Sequence, residues 1–408
     1  MGPEVDVLVL GGGTAGVAAA VGAAESGRSV SLVERAATLG GMATSAEVGT
    51  VCGMWARERQ GPIRPVMAGL PLAFVTRLAA RCGREPSRWK DGLVFQPYMP
   101  PALQGVCDDL LAEAGVRPHL HTTVVGLAWD GAGFDVDLLT WDRRARVRAR
   151  AVVDASGVAV GAASLGAALL PPEPRQAASL VITIGGAPAV DPMAWRMGLA
   201  KEVARETPVP GWHPSVVPGG QAGDRVALKL TAAEPCADDP VAVSEAERAA
   251  RRAARALVAW LRARPDHGDV VLLHEAPALG VRTGRRPRGE LVVDADHVLC
   301  ARAHPEGVAV GAWPVERWLG GREPEMRLPP EGEACEVPAG AMIAAGIPGL
   351  FFAGRMISAD EVAIAALRVI GTCLGTGYAA GRLAAGWVGG EAREAVIASI
   401  RERLGMSG

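Results

Sequence analysis

The 408-residue chain lacks a strong charge of either sign, with 42 basic and 44 acidic side chains leaving a net charge of −2. That excludes the basic field with which proteins attract a nucleic-acid backbone. Its seven cysteines are odd in number, scattered, and free of any C-x-x-C pair. This excludes a disulfide framework and a zinc site, and it fits a reducing compartment. His119 and His121 alternate on an expected strand without Cys or carboxylate companions, so no metal is expected. General acids are scarce, with two tyrosines and seven histidines. The amino terminus carries Glu4 and Asp6 where a secretory signal needs positive charge, so a cytoplasmic location is expected. The apolar stretch from Val5 to Ala24 approaches membrane-spanning length. Glycines break it in the middle, which suits a strand–loop–helix, and no integral membrane segment is expected.

That stretch, "DVLVLGGGTAGVAAAVGAAESGRSVSLVE", carries chemistry. Val5 to Leu10 suits a strand buried on both faces. Gly11, Gly13 and Gly16 follow in G-x-G-x-x-G spacing. Gly11 permits the tight turn, Gly13 lets backbone approach a pyrophosphate, and Gly16 lets the next helix pack on the strand. Thr14 and Ala15 open that helix, whose first amides and dipole face phosphates. A second strand over 29–33 ends at Glu34, a carboxylate placed to accept from a ribose. These residues predict a nucleotide site without choosing between NAD and FAD.

The next residues choose. Glu34-Arg35 and "GGMATS", with Gly41, Met42, Ala43 and Thr44, resemble the FAD-dependent oxidoreductases of the glutathione-reductase-like type. There the G-G loop lies along the pyrophosphate and ribityl chain. "VVDASG" resembles a second FAD contact, through Ala155, Ser156 and Gly157, and Val124 holds the position that meets adenine. "AGRMISA" and "RVIGT" hold a third, with Gly354, Arg355, Arg368, Val369, Gly371 and Thr372 near the flavin. With "CGMW" and "GVRTGRR", these segments match a group of bacterial FAD-dependent oxidoreductases. The chain departs from that group at Val158-Ala159-Val160, where an acidic or aspartate-glycine pair is usual, and at Glu361, where His is usual.

The resemblance implies an α/β protein, with a Rossmann-type FAD-binding domain of central parallel sheet and β-meander, and an inserted α+β substrate domain. The expected FAD domain is discontinuous, at 1–50, 98–165 and 326–408, with a substrate or cap domain at 51–97 and 166–325. The chain crosses over at "PPEPR" and returns at "LPPEGEACEVP". A helix is expected over 244–264, capped by Ser244 and Glu247 and stopped by Pro265. Thr372 is an expected N-cap for the last small-residue helix.

For catalysis, Arg282, Arg285, Arg286 and Arg288 crowd into seven residues, and guanidinium groups bind carboxylates bidentately. Pairing with Glu290, Asp294 and other surface acids is the plainer alternative. Arg282 and Arg286 match the group's pattern and are candidates for a substrate anion. Glu361 and Glu58 are candidate acids. Cys52, one loop after "GGMAT", is a redox candidate or a small buried thiol, and Trp55 and Arg57 are expected at the pocket. The expectation is hydride transfer between FAD and a small, anionic organic substrate. With one fingerprint, a transient NAD(P)H or electron-transfer partner is an open route for electrons. The alternatives are a flavin monooxygenase or oxidase, against which the chain lacks a late G-D pair and a W-x-W-x-I-P run, and a flavin- or lipid-binding carrier without catalysis.

Overall fold

The computed structural model describes residues 4–171, 176–187, 192–235, 239–264, 267, 269–320 and 323–406. The expected crossing at 172–175, the expected helix stop at Pro265, and Cys236 lie outside them.

β1 (Glu4–Leu10) runs through the glycine turn into α1 (Thr14–Ala24) and on to β2 (Val30–Val33), which pairs with β1 in parallel. Val7, Leu8, Val9 and Leu10 are fully buried. A strand covered on both faces has no reason to alternate polar residues. After α2 (Met42–Ser45), a small antiparallel sheet forms from β3 (Thr50–Cys52), β4 (Ser87–Arg88) and β5 (Val94–Pro97), with α3 (Gly69–Cys82) in its connection.

α4 (Pro100–Glu113) leads to β6 (Pro118–His119), which adds to β2. β6 is two residues long, and His121 has φ +52° in the turn that follows. His119 and His121 therefore do not alternate on one strand. β7 (Thr122–Trp129), β8 (Phe134–Thr140) and β9 (Arg143–Asp154) form the antiparallel meander. β9 is twelve residues long, and "VVDASG" begins within it. The meander half of β9 pairs with β8, while Val152, Val153 and Asp154 pair in parallel with β1 and later with β18. Its first residues are exposed and its last four buried, because only that end is covered on both faces.

Past α5 (Val160–Ser164), a second antiparallel sheet comprises β10 (Ala177–Gly185), β11 (Trp212–Ala222), β12 (Arg225–Pro235) and β13 (Val271–Glu275), in the order β11-β12-β10-β13. α6 (Pro192–Glu206) lies against β11, and α7 (Pro240–Arg262) buries Ala250, Ala254, Leu257 and Leu261 in this lobe's core. The cap of α7 is Asp239, whose carboxylate accepts from the amides of Val241 and Ala242. Ser244, the expected cap, is inside the helix and donates to the Pro240 carbonyl at 2.7 Å. Pro240 at the first turn suits a helix start better than the S-x-x-E pattern does.

The remainder returns to the first lobe through α8 (Ala295–Leu299), β14 (Gly307–Gly311), β15 (Val315–Arg317), β16 (Glu325–Arg327), β17 (Cys335–Pro338), β18 (Leu350–Phe352), α9 (Glu361–Leu367), α10 (Ile370–Gly389) and α11 (Arg393–Arg403). The cores divide the chain differently from the expected partition. Val293, Val298, Val308, Val310 and Val315 pack with β1, α1 and α10, not with the second sheet. So do Phe74 and Leu78 of α3.

α1 and α10 meet at backbone distance. A Cβ on Gly377 or Gly381 would strike the carbonyl of Ala15 or Ala19. This is why both helices are built of glycine and alanine. Among the described residues no single helix is long and apolar enough to cross a membrane. α9 and α10 together come near, but they are bent by 96° and mostly buried.

Candidate functional site

The glycine turn after β1 is pinned from three sides. The amide of Gly11 donates to Val33 (2.8 Å), that of Ala155 to Leu10 (2.8 Å), and that of Gly40 to Gly12 (2.8 Å). Gly11 has φ +100°, and a Cβ there would lie 2.7 Å from the Ala155 carbonyl oxygen. Gly16 sits so close to Gly11 that a side chain would collide with its backbone. Gly13 is different: the nearest atom to a Cβ there is Gly41 Cα, 3.9 Å away. The space before Gly13 is open, and the amino terminus of α1 faces it. Such a site suits a phosphate.

That space is one end of a cavity of about 1440 Å3. Gly13, Thr14, Ala15, Glu34, Arg35, Gly41, Met42 and Ala43 line this end, with Ala155, Ser156, Gly157, Gly354 and Arg355. The Glu34 carboxylate accepts from the amides of Gly12 (2.6 Å) and Ala36 (2.7 Å), which fixes it at the rim. Arg355 donates to the carbonyls of Gly157 (3.0 Å) and Val281 (2.6 Å), tying the D-A-S-G turn to the GVR loop. Burial, with Arg35 and Arg368 adding repulsion, lowers its pKa to about 10. Thr44 is tucked behind, its hydroxyl donating to Leu39 (2.8 Å). Thr123, not Val124, lines the cavity on β7, because adjacent strand residues face opposite ways.

At the other end stand Cys52, Ser179, Lys229, Arg282, Trp313, Glu316, Trp318, Arg368 and Val369. α10 starts at Ile370 with Val369 as N-cap, so Thr372 lies in the first turn and does not cap it. Gly371 and Thr372 face inward. A Cβ on Gly371 would lie 2.6 Å from the Gly53 and Met54 backbone, which leaves Val369 and Ile370 to face the cavity.

Arg282 donates to the Ala177 carbonyl and the Ser179 hydroxyl. Arg368 donates to the Gln176 side chain (3.0 Å) and the Glu316 carbonyl (3.1 Å). Burial and the neighbouring Arg368 push Arg282 down to about 9. The Glu316 carboxylate accepts from the indole N–H groups of Trp313 and Trp318, both at 2.8 Å. Burial would raise its pKa, but Arg368, these donors and Lys229 outweigh burial and hold Glu316 below the ordinary value. Burial, then Glu316, pushes the Cys52 thiol up to about 12, so it is a neutral thiol and not a nucleophile.

Arg286 and Glu361 are elsewhere. They pair with each other at 2.9 Å, 5% and 2% exposed, and neither lines the cavity. Both were expected at the substrate, but their segments meet behind the cavity wall. Of the acids named as partners for the arginine cluster, Glu290 instead binds Arg393 and Asp294 caps α8. Trp55 and Arg57 are buried away from the cavity, and Glu58 pairs with Arg64. Lys229 and Glu316 escaped the sequence reading. The W-P-V-E-R-W run was a signal for Glu316, since buried indoles need an acceptor. Among the described residues no group of His, Cys, Asp and Glu could hold a metal.

A dinucleotide cradle at one end, and a charged compartment at the other with room between, define a flavoprotein. A family model described as FAD dependent oxidoreductase matches residues 6–404, and the chain belongs to that family. FAD is its cofactor and it is an oxidoreductase. No curated protein matches the chain. Among solved structures it is similar to a geranylgeranyl bacteriochlorophyll reductase-like protein from Thermoplasma acidophilum. That match has 13% identity and a TM-score of 0.50, and it covers 98% of this chain and 84% of that one. It is also similar to CabE, an aromatic hydroxylase from angucycline biosynthesis, at 12% identity and TM-score 0.50. That match covers 98% of this chain and 65% of CabE, so the chain spans just under two thirds of CabE's length. At such identities the likeness is one of fold.

Proposed function

We propose that this oxidoreductase transfers a hydride between flavin and a small organic substrate whose anionic group is held by Arg282, with Arg368 beside it. One observation carries the reading. Both guanidinium groups reach the cavity, and among the described residues no carboxylate lies within ion-pair distance of either. Glu316 attracts both through space but bridges neither, and an anionic ligand would give Arg282 a direct charged partner.

FAD, when bound, supplies the two-electron chemistry. The residues fitted to hold it are those of the Gly13–Gly41 cradle, Glu34 and Arg355. Arg282 orients the anion. Glu316 stays ionised on its two indoles, so it sets the charge of the compartment and does not deliver a proton. The amino terminus of α10 turns the positive end of its dipole toward the same space. Among the described residues one strand–glycine loop–helix unit occurs. This supports electrons entering from the substrate, or from a transiently docked NAD(P)H or protein.

Anaerobic titration of the flavin-loaded protein with small carboxylates tests the reading through bleaching of the visible flavin band. Arg282→Met is expected to weaken half-saturation about tenfold to a hundredfold. Equal bleaching of wild type and variant would remove Arg282 from the site. Bleaching by NAD(P)H alone, with every carboxylate inert, would favour the monooxygenase alternative.

A further inference from the structure

The anion reading leaves the body of the substrate open. Resting on that reading, we infer that the substrate is an aliphatic carboxylate, its head on Arg282 and its chain running away from the Trp318 cluster along β10 and β11. Ser179 and Val181 are two apart on β10 and so share a face. Ser179 holds Arg282, its hydroxyl accepting at 2.7 Å. Val181 is one step further, about 7 Å along the strand.

The register extends this row across the sheet. Val181 pairs with Lys229, and Lys229 with Ser215 of β11. Val217 is the next cavity residue on that face. α6 adds Leu199 and Val203, and Val48 and Phe95 face them from the first lobe. The two walls meet closely, since a Cβ on Gly49 would lie 3.0 Å from a Val217 methyl. None of these six apolar side chains carries a charge, and Val48 keeps 44% of its surface exposed. The cavity therefore passes from cations to an apolar wall of valine, leucine and one phenylalanine.

The indoles do not offer an aromatic ligand the same welcome. Lys229 Nζ is 4.5 Å and the Arg282 guanidinium 4.8 Å from the Trp318 ring centroid. The N–H edges of both tryptophans are spent on Glu316. Apart from Phe95 and Trp89, the apolar surface left for a substrate is aliphatic, which a flexible chain fills more readily than a rigid ring.

The test uses the flavin-loaded full chain titrated with acetate, butyrate, hexanoate and octanoate, with benzoate as the aromatic comparison. Binding is read by perturbation of the visible flavin spectrum and by calorimetry. Affinity is expected to rise about fourfold per added methylene, and Arg282→Met to weaken every member by a similar factor. Val217→Asp is expected to flatten the series while acetate binding persists. If that variant fails to fold, the wild-type series decides alone. A flat wild-type series, or benzoate binding tighter than octanoate, overturns the aliphatic assignment. If Arg282→Met still weakens binding in that case, the anion reading survives. If none of the acids binds, both fall.

Discussion

Replacing Glu361 with glutamine removes one charge from the buried pair behind the cavity. The Arg286 Nη1 to Glu361 Oε2 distance is 2.9 Å, and the side chains are 5% and 2% exposed. At an effective dielectric of about 20, their attraction is roughly 6 kcal/mol before desolvation. Much of that offsets the cost of taking both ions out of water. The net effect of losing one partner is larger than the net worth of the pair, because Arg286 stays charged. It would keep the Ala359 carbonyl at 2.9 Å and the Gly284 carbonyl at 3.4 Å. The expected cost is about 3–5 kcal/mol, or a fall in Tm of roughly 4–6 °C for a chain of this size. Arg286→Met combined with Glu361→Leu should recover most of it, since an apolar pair needs no counter-charge. Thermal unfolding followed by circular dichroism, with FAD saturating in every sample, measures both effects. A Glu361→Gln protein that melts with the wild type would refute the reasoning. So would a double variant that melts no higher than the single one.

Three further outcomes are expected. Gly13→Leu should fold yet purify without flavin, because its side chain enters open space, whereas Gly16→Ala should destabilise the fold itself through collision with Gly11. Thermal unfolding and the visible flavin spectrum separate the two. Iodoacetamide at about pH 8 should label exposed Cys300 well before Cys52, Cys335 or Cys373, whose thiols are all raised to about 12. Peptide mapping would show the reverse order if Cys52 were an activated thiol. Glu316 has a folded pKa below its ordinary 4.5. Its ionised form therefore adds stability that is present above that value and lost as pH falls through the lowered one. Glu316→Gln should be less stable at neutral pH and converge on the wild type in acid. A stability gap that does not change with pH would count against this.

The nucleotide cradle was legible in the sequence because its physics is local. Three glycines, two flanking apolar strands and a carboxylate at the next strand end lie within about thirty residues. Each has a steric or hydrogen-bonding reason to be where it is, and the structure puts Gly13, Glu34 and Gly41 around one space. Helix starts were less legible. Thr372 and Ser244 have the chemistry of caps, but the chain enters the helix earlier, at Val369 and Asp239, where the entering backbone is extended.

The substrate end was not local. Arg282 and Arg286 are four residues apart in one arginine-rich run, and nothing in that run distinguishes them. Only the tertiary structure brings Glu361 to Arg286 and leaves Arg282 against Ser179 and Trp318 at the cavity. The charge of the compartment depends on Lys229, Glu316 and Arg368, which come from three distant segments. By itself the sequence determined that a dinucleotide binds here, because backbone shape follows from nearby residues. Which arginine is bridged by a carboxylate and which is left at the cavity was decided only by packing, because a counter-ion can come from anywhere in the chain.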